Sequence, residues 1–166
     1  MYAWCGEPLS SSIGTSSSAR GKSVEPSIVL IVVDASAIIA ALADTGTARQ
    51  AVADEQLHAP HSVDAEVVRA FSRAERGGRL SAARAAAPAI RTFSEMGVYR
   101  HSISGLLGRM WALRHNLSAY DAAYIALAEA LDCPLLTADR RMVRAPNLPA
   151  AVTFCRQRPT QKRRLR

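Results

Sequence analysis

Four carboxylates share a character that matters more than any one of them. Asp34 directly follows the apolar run "SIVLIVV", Asp139 directly follows "PLLTA", and Asp121 opens the apolar segment "AYDAAYIALAEAL". The segment after Ser62 adds a fourth, either Asp64 or Glu66. Each has an ordinary explanation. Asp is a favoured helix N-cap. Ser118 and Asp121 have capping-box spacing, and an acid in a first helical turn gains about 0.3–1 kcal/mol from the helix dipole. Glu66 can pair with Arg69 one turn on, and Asp64 can serve the helix dipole. Asp121, however, precedes Tyr124, Ile125 and Ala128 at helical spacing, so its carboxylate lies on the face that the helix would bury.

Carboxylates gathered in a partly apolar pocket repel one another, and their pKa values rise unless a cation neutralises them. Oxygen donors without cysteine or paired histidine favour Mg²⁺, or Mn²⁺, over zinc. Such an ion activates water and neutralises charge on a phosphoryl oxygen. His58 and His61 flank Pro60 in a strand-to-loop region and are set aside as ligands. The chain has no glycine-rich phosphate loop, no GxSxG elbow and no Walker-type lysine.

These acids need elements to hold them. "SIVLIVV" is β-branched and continuous, as suits a strand buried on both faces. "ASAIIAALAD" and "GTARQAVADEQ" read as helices and "LHAP" as a short strand. Ser62 is placed to cap a helix from Val63 to about Arg76, which "GG" stops. An alanine-rich helix starts at Ser81, with Pro88 kinking or splitting it. "GVYRH" reads as a strand, 103–115 as helical with Trp111 and Leu113 as core candidates, and 119–131 as a helix. "PLLTAD" is a strand, a short helix follows near 140–144, and "AVTFC" is the last strand. This alternation specifies an α/β fold with a mainly parallel sheet, in which ligands bind beyond the carboxyl ends of the strands. Asp34 and Asp139 stand at two such ends.

With 166 residues and 49% apolar content, the chain suits one well-buried core. Its net charge of +7 is uneven: Arg156, Arg158, Lys162, Arg163, Arg164 and Arg166 supply six, with no acid among 156–166. The Ser-, Gly- and Pro-rich leader 1–27 balances Arg20 and Lys22 against Glu7 and Glu25, so 28–155 carries +1. The expected organisation is a disordered leader, one domain over 28–155 and a basic tail that either attracts phosphate or simply solvates the terminus. Cys5, Cys133 and Cys155 are odd in number and have no paired spacing, so neither a disulfide framework nor a structural zinc is indicated and a reducing cytoplasm fits best. No apolar run approaches the roughly 20 residues of a membrane span, and Asp34 interrupts the segment that resembles a signal peptide.

"VVDAS" (32–36), "APHSVDAEVVRAF" (59–71), "LRHNLSAYDAAYIALAEAL" (113–131) and "CPLLTADRRM" (133–142) resemble, in order and spacing, the PIN-domain family, and specifically the VapC toxins of bacterial toxin–antitoxin pairs. The resemblance covers roughly 28–155. It implies a PIN-like α/β/α sandwich and an Mg²⁺- or Mn²⁺-dependent ribonuclease. It assigns Asp34, Glu66, Asp121 and Asp139 to the metal-binding and catalytic cluster, and so prefers Glu66 to Asp64. It also places Ser36, Thr137, Arg114 and Asn116 at polar, substrate-binding positions. An RNA substrate, a cognate antitoxin and a homodimer are implied in the same way.

Other phosphate chemistries fit less well. A haloacid-dehalogenase-type phosphatase needs a second acid where Ser36 stands, and a receiver domain needs a late lysine, whereas the only lysines are Lys22 and Lys162. The remaining alternative is a catalytically inactive PIN-like module that binds RNA or a protein partner.

Overall fold

The computed structural model describes residues 29–43, 47–53, 55–77, 80–144 and 152–155. The leader and the basic tail expected from the sequence lie outside the described residues. Five strands form one sheet: β1 (Leu30–Val33), β2 (Gln56–Pro60), β3 (Tyr99–His101), β4 (Leu135–Thr137) and β5 (Val152–Phe154). Among the described residues, seven α-helices connect them: α1 (Ala35–Ala43), α2 (Thr47–Ala53), α3 (Ser62–Arg76), α4 (Leu80–Glu95), α5 (Leu107–Leu113), α6 (Ala119–Ala130) and α7 (Arg140–Val143).

The strand order is β3-β2-β1-β4-β5, and every neighbouring pair is parallel. The sheet expected to be mainly parallel is therefore parallel throughout, because each link between successive strands carries at least one helix to make the crossover. The chain moves outward from β1 through β2 to β3, then returns to the other side of β1 for β4 and β5. The order thus reverses between β1 and β4, and a crevice opens at the carboxyl ends of those two strands. Asp34 and Asp139 follow them, with the Asp34 amide donating to the Leu136 carbonyl at 2.9 Å.

Helices α1, α3 and α4 pack together as one layer, and α6, joined by α5, lies against β1, β2 and β4. This is an α/β/α sandwich. Burial follows the apolar pattern: Val32, Val33, Ile38, Val63, Val67, Ile125 and Leu135 are inaccessible to solvent. Each such side chain contributes about 1.5–3 kcal/mol relative to remaining exposed.

Three local expectations change. Trp111 is 69% exposed and not part of the core, whereas Leu113 packs against the core. Two residues apart on a helix are roughly 200° apart around its axis, so both could not face inward. Ser62 is the first residue of α3 and not its cap. That place belongs to His61, whose amide donates to the His101 carbonyl at 3.0 Å and so continues the strand pairing up to the helix. Pro88 does not split its segment, and α4 runs through it.

Candidate active site

At the end of β1 the chain turns directly into α1, and the Asp34 carbonyl accepts from the amides of Ala37 and Ile38 at 3.0 and 3.1 Å. Its carboxylate points into the crevice between β1 and β4, buried to 6% exposure. Oδ2 accepts from the Ser36 hydroxyl, and from the Thr137 hydroxyl at 2.8 Å. These hydroxyls also hold the chain that leaves β4. Ser36 Oγ accepts from the Ala138 amide at 2.9 Å, and Thr137 Oγ1 accepts from the Asp139 amide at 3.0 Å. Two small polar side chains therefore fix Asp34 and the backbone carrying Asp139 in one frame.

Helix α3 sends Asp64 and Glu66, the two acids near its start, to different places. Asp64 accepts from Arg100 Nε through both oxygens at 2.9 Å, and Arg100 is itself held by the Val98 carbonyl and by the Phe93 ring. Glu66 accepts instead from the Tyr124 hydroxyl at 3.1 Å. Tyr124 lies in the core on α6, one turn after Asp121. Spacing along the sequence left Asp64 and Glu66 undecided. The fold ties Asp64 to the β3 edge and turns Glu66 toward α6.

Ser118 caps α6: its Oγ accepts from the Asp121 amide at 3.2 Å and donates to Asp121 Oδ2 at 2.8 Å. Asp121 is thus a capped first-turn residue, and its charge also acts on Asp34 and Glu66. Asp139 caps α7 by accepting from the Arg141 amide at 2.8 Å, and its carboxylate forms an ion pair with Arg141 Nη2 at 2.8 Å.

Electrostatics sets Asp34 and Glu66 apart from Asp139. Burial raises the pKa of Asp34; the Ser36 and Thr137 hydroxyls oppose that rise and the charge of Asp121 adds to it. Burial likewise raises Glu66, opposed by the Ser62 and Tyr124 hydroxyls and reinforced by Asp34 and Asp121. Desolvation therefore outweighs repulsion, which sequence reasoning had made the main cause. Asp139 goes the other way, held low chiefly by its bond from Arg141. The Tyr124 phenol is pushed well up by burial and by the charges of Glu66 and Asp34, so it remains a proton donor.

Among the described residues, no three His, Cys, Asp or Glu side chains approach closely enough to share one metal ion. The donor chemistry nevertheless fits a hard divalent cation. The charge of Asp121 adds to the rise of both Asp34 and Glu66, these two lie where burial disfavours their charged form, and the groups bonded to the acids are hydroxyls and amides.

Arg114 and Asn116 are exposed on the link from α5 to α6. Arg114 bonds to the Trp111 carbonyl at 2.7 Å and stacks on the Trp111 ring, and the structure does not draw it into the acidic group. His58 pairs with His101 at 2.7 Å on the β2–β3 side, and His61 is exposed. Sequence reasoning missed the roles of Tyr124 and Arg141. The signals were present: Tyr124 stands one helical turn from Asp121, and Arg141 two residues after Asp139.

The PIN domain family profile matches residues 31–148. VapC ribonuclease Mb0985 of Mycobacterium bovis is 50% identical over 113 residues, spanning 68% of this chain and 88% of that protein. Ribonuclease VapC1 of Mycobacterium tuberculosis is 43% identical over 131 residues, spanning 75% and 97%. Among solved structures, that of PAE2754 from Pyrobaculum aerophilum superposes with a TM-score of 0.58 at 26% identity, covering 75% of this chain and 83% of that one. Sequence similarity over most of the chain and a shared backbone arrangement agree, and the chain belongs to the PIN-domain family.

Proposed function

We propose that the protein is an endoribonuclease, dependent on Mg²⁺ or Mn²⁺, that acts as the toxin of a toxin–antitoxin pair. The observation that supports this reading is the burial of Asp34 at the β1–β4 switch point between the Ser36 and Thr137 hydroxyls, where the charge of Asp121 adds to the rise in its pKa and Asp34 and Asp121 add to that of Glu66. The relatives named as ribonucleases support the same chemistry.

Asp34, Glu66 and Asp121 would hold the cation, and Asp139 would join them on exchanging Arg141 for it. When bound, such a cation activates water and neutralises charge on the phosphoryl oxygen. Ser36 and Thr137 orient Asp34, and Tyr124 orients Glu66. Arg141, 92% exposed, is free to swing toward a phosphate once released. Arg114 and Asn116 contact substrate from the α5–α6 link. An antitoxin would silence the site by covering the crevice or inserting a cationic side chain among the acids. A homodimer and a cytoplasmic location complete the proposal. No helix among the described residues is long and apolar enough to cross a membrane.

Labelled RNA incubated with protein in Mg²⁺ and in EDTA tests this directly. Cleavage is expected only with Mg²⁺, and Asp34→Asn should lower its rate by roughly 10²–10³-fold, the cost of losing one preorganised electrostatic group. An Asp34→Asn protein that cuts at near wild-type rate, after removal of trace nuclease, would overturn the mechanism. RNA that is bound but never cut would identify the inactive binding module instead.

A further inference from the structure

The outer face of α5 carries a feature that folding does not explain. Trp111 is 69% exposed, and the Arg114 guanidinium lies over its ring at 4.5 Å from the centroid. Leu107, one turn earlier, is 57% exposed, and Tyr120 at the start of α6 is 52% exposed. The inner side of the hairpin is closed by Leu106, Leu113 and Leu117, so the exposed tryptophan is not needed for packing.

Its level along α6 relative to Asp121 follows from the pairing of the two helices. Arg109 near the start of α5 makes a two-point ion pair with Glu129 near the end of α6, at 2.7 and 2.9 Å. The helices therefore run antiparallel, and the carboxyl end of α5 lies at the amino end of α6, which carries Asp121. With Arg109 opposite Glu129, Trp111 is opposite Leu127, and six residues of α6 separate that level from Asp121. This is about 9 Å along the helix axis at 1.5 Å per residue.

We propose that Trp111 and Arg114 form a stacking platform for an unpaired base of the RNA substrate, next to the scissile phosphate. The inference rests on the ribonuclease reading. An exposed aromatic ring with a guanidinium on it offers a π-face to any unstacked base and a positive charge to the adjoining phosphate. Charge selects this occupant over a second copy of the chain. Residues 107–118 contain Arg109 and Arg114 and no acid. Arg109 is already paired with Glu129, so the charge beside the ring is that of Arg114, and a two-fold contact centred on Trp111 and Arg114 would set Arg114 against Arg114, because such an interface pairs a patch with itself.

The test measures binding of the full chain in EDTA, where cutting is suppressed, to a fluorescein-labelled single-stranded RNA and to a duplex of the same length. Trp111→Ala should weaken single-strand binding by roughly 5- to 150-fold, the range for losing one stacked base. Duplex binding should change little, because its bases already stack on one another. Trp111→Phe, which keeps a ring, should restore single-strand affinity to within a few-fold of wild type. Light scattering on each variant reports its oligomeric state. Unchanged single-strand affinity in Trp111→Ala overturns the platform, as does an equal loss for both RNAs. A dimer that becomes a monomer with RNA affinity retained assigns the face to a second copy, which also overturns it. If the wild type neither binds nor cuts RNA, it is the ribonuclease reading that fails.

Discussion

Asp34 is costly to keep charged where it sits. Without a cation, folded Asp34 and Glu66 hold protons at pH values where the unfolded chain, with ordinary values of 3.8 and 4.5, has released them. The folded state then binds more protons than the unfolded one, so metal-free stability should fall as pH rises from those values through the raised ones. Asp139 contributes with opposite sign: its stabilisation is present above 3.8 and is lost as pH falls through its lowered value. Asp121→Asn isolates the repulsion. It removes a charge that raises both buried acids, and Asn retains an acceptor for the Ser118 hydroxyl. In EDTA near pH 7 the variant should melt a few degrees higher than wild type, the shift that about 1 kcal/mol produces in a domain of this size. It should also gain less from Mg²⁺, which stabilises by binding only the folded state. Melting curves with EDTA and with Mg²⁺ check both points. A lower melting temperature in EDTA, with an undiminished response to Mg²⁺, would reduce Asp121 to a helix cap.

Helix α6 carries Asp121 in its first turn and Tyr124, the partner of Glu66, in its second. Ser118 begins that helix, and Ser118→Ala should cost about 1 kcal/mol, with Ser118→Asn close to wild type, as read from urea midpoints. A serine with no effect would mean that packing alone sets the start of α6. The elements around the site were legible because they are the most apolar. β1 and β4 read as continuous buried runs, and α6 is so hydrophobic that an acid in its first turn stands out. The choice between Asp64 and Glu66 was not legible, because it depends on partners distant in sequence, Arg100 on β3 and Tyr124 on α6. Trp111 misled for a different reason: a large apolar side chain suggests burial, and a seven-residue helix with one inner face cannot bury every such residue. The ion pair between Asp139 and Arg141 was equally hidden, because composition does not show which arginines bend back.

Over the whole molecule, charge is concentrated at one end of the chain, while 28–155 is nearly neutral. We propose that the tail raises RNA affinity without choosing the cleavage site. Removing 156–166 should reduce the salt dependence of binding, by about 0.7 in logarithmic slope for each single-strand phosphate that the tail neutralises, and leave the cleavage pattern unchanged. A changed pattern would give the tail a part in recognition.

The bond from Thr137 to Asp34 crosses 103 residues of chain. During synthesis β1 and β2 emerge early and are able to pair, but the other side of β1 stays open until β4 leaves the ribosome, and closing that long loop is the slow, entropically expensive step. Until then Asp34 has no Thr137 hydroxyl, and Asp139 does not yet exist. A chain that stops short of Leu135 can build much of the helical scaffold and still lack Asp139 and the Thr137 hydroxyl. In a protein whose proposed activity endangers the cell that makes it, the parallel order of the strands would delay completion of that site until β4 has been made.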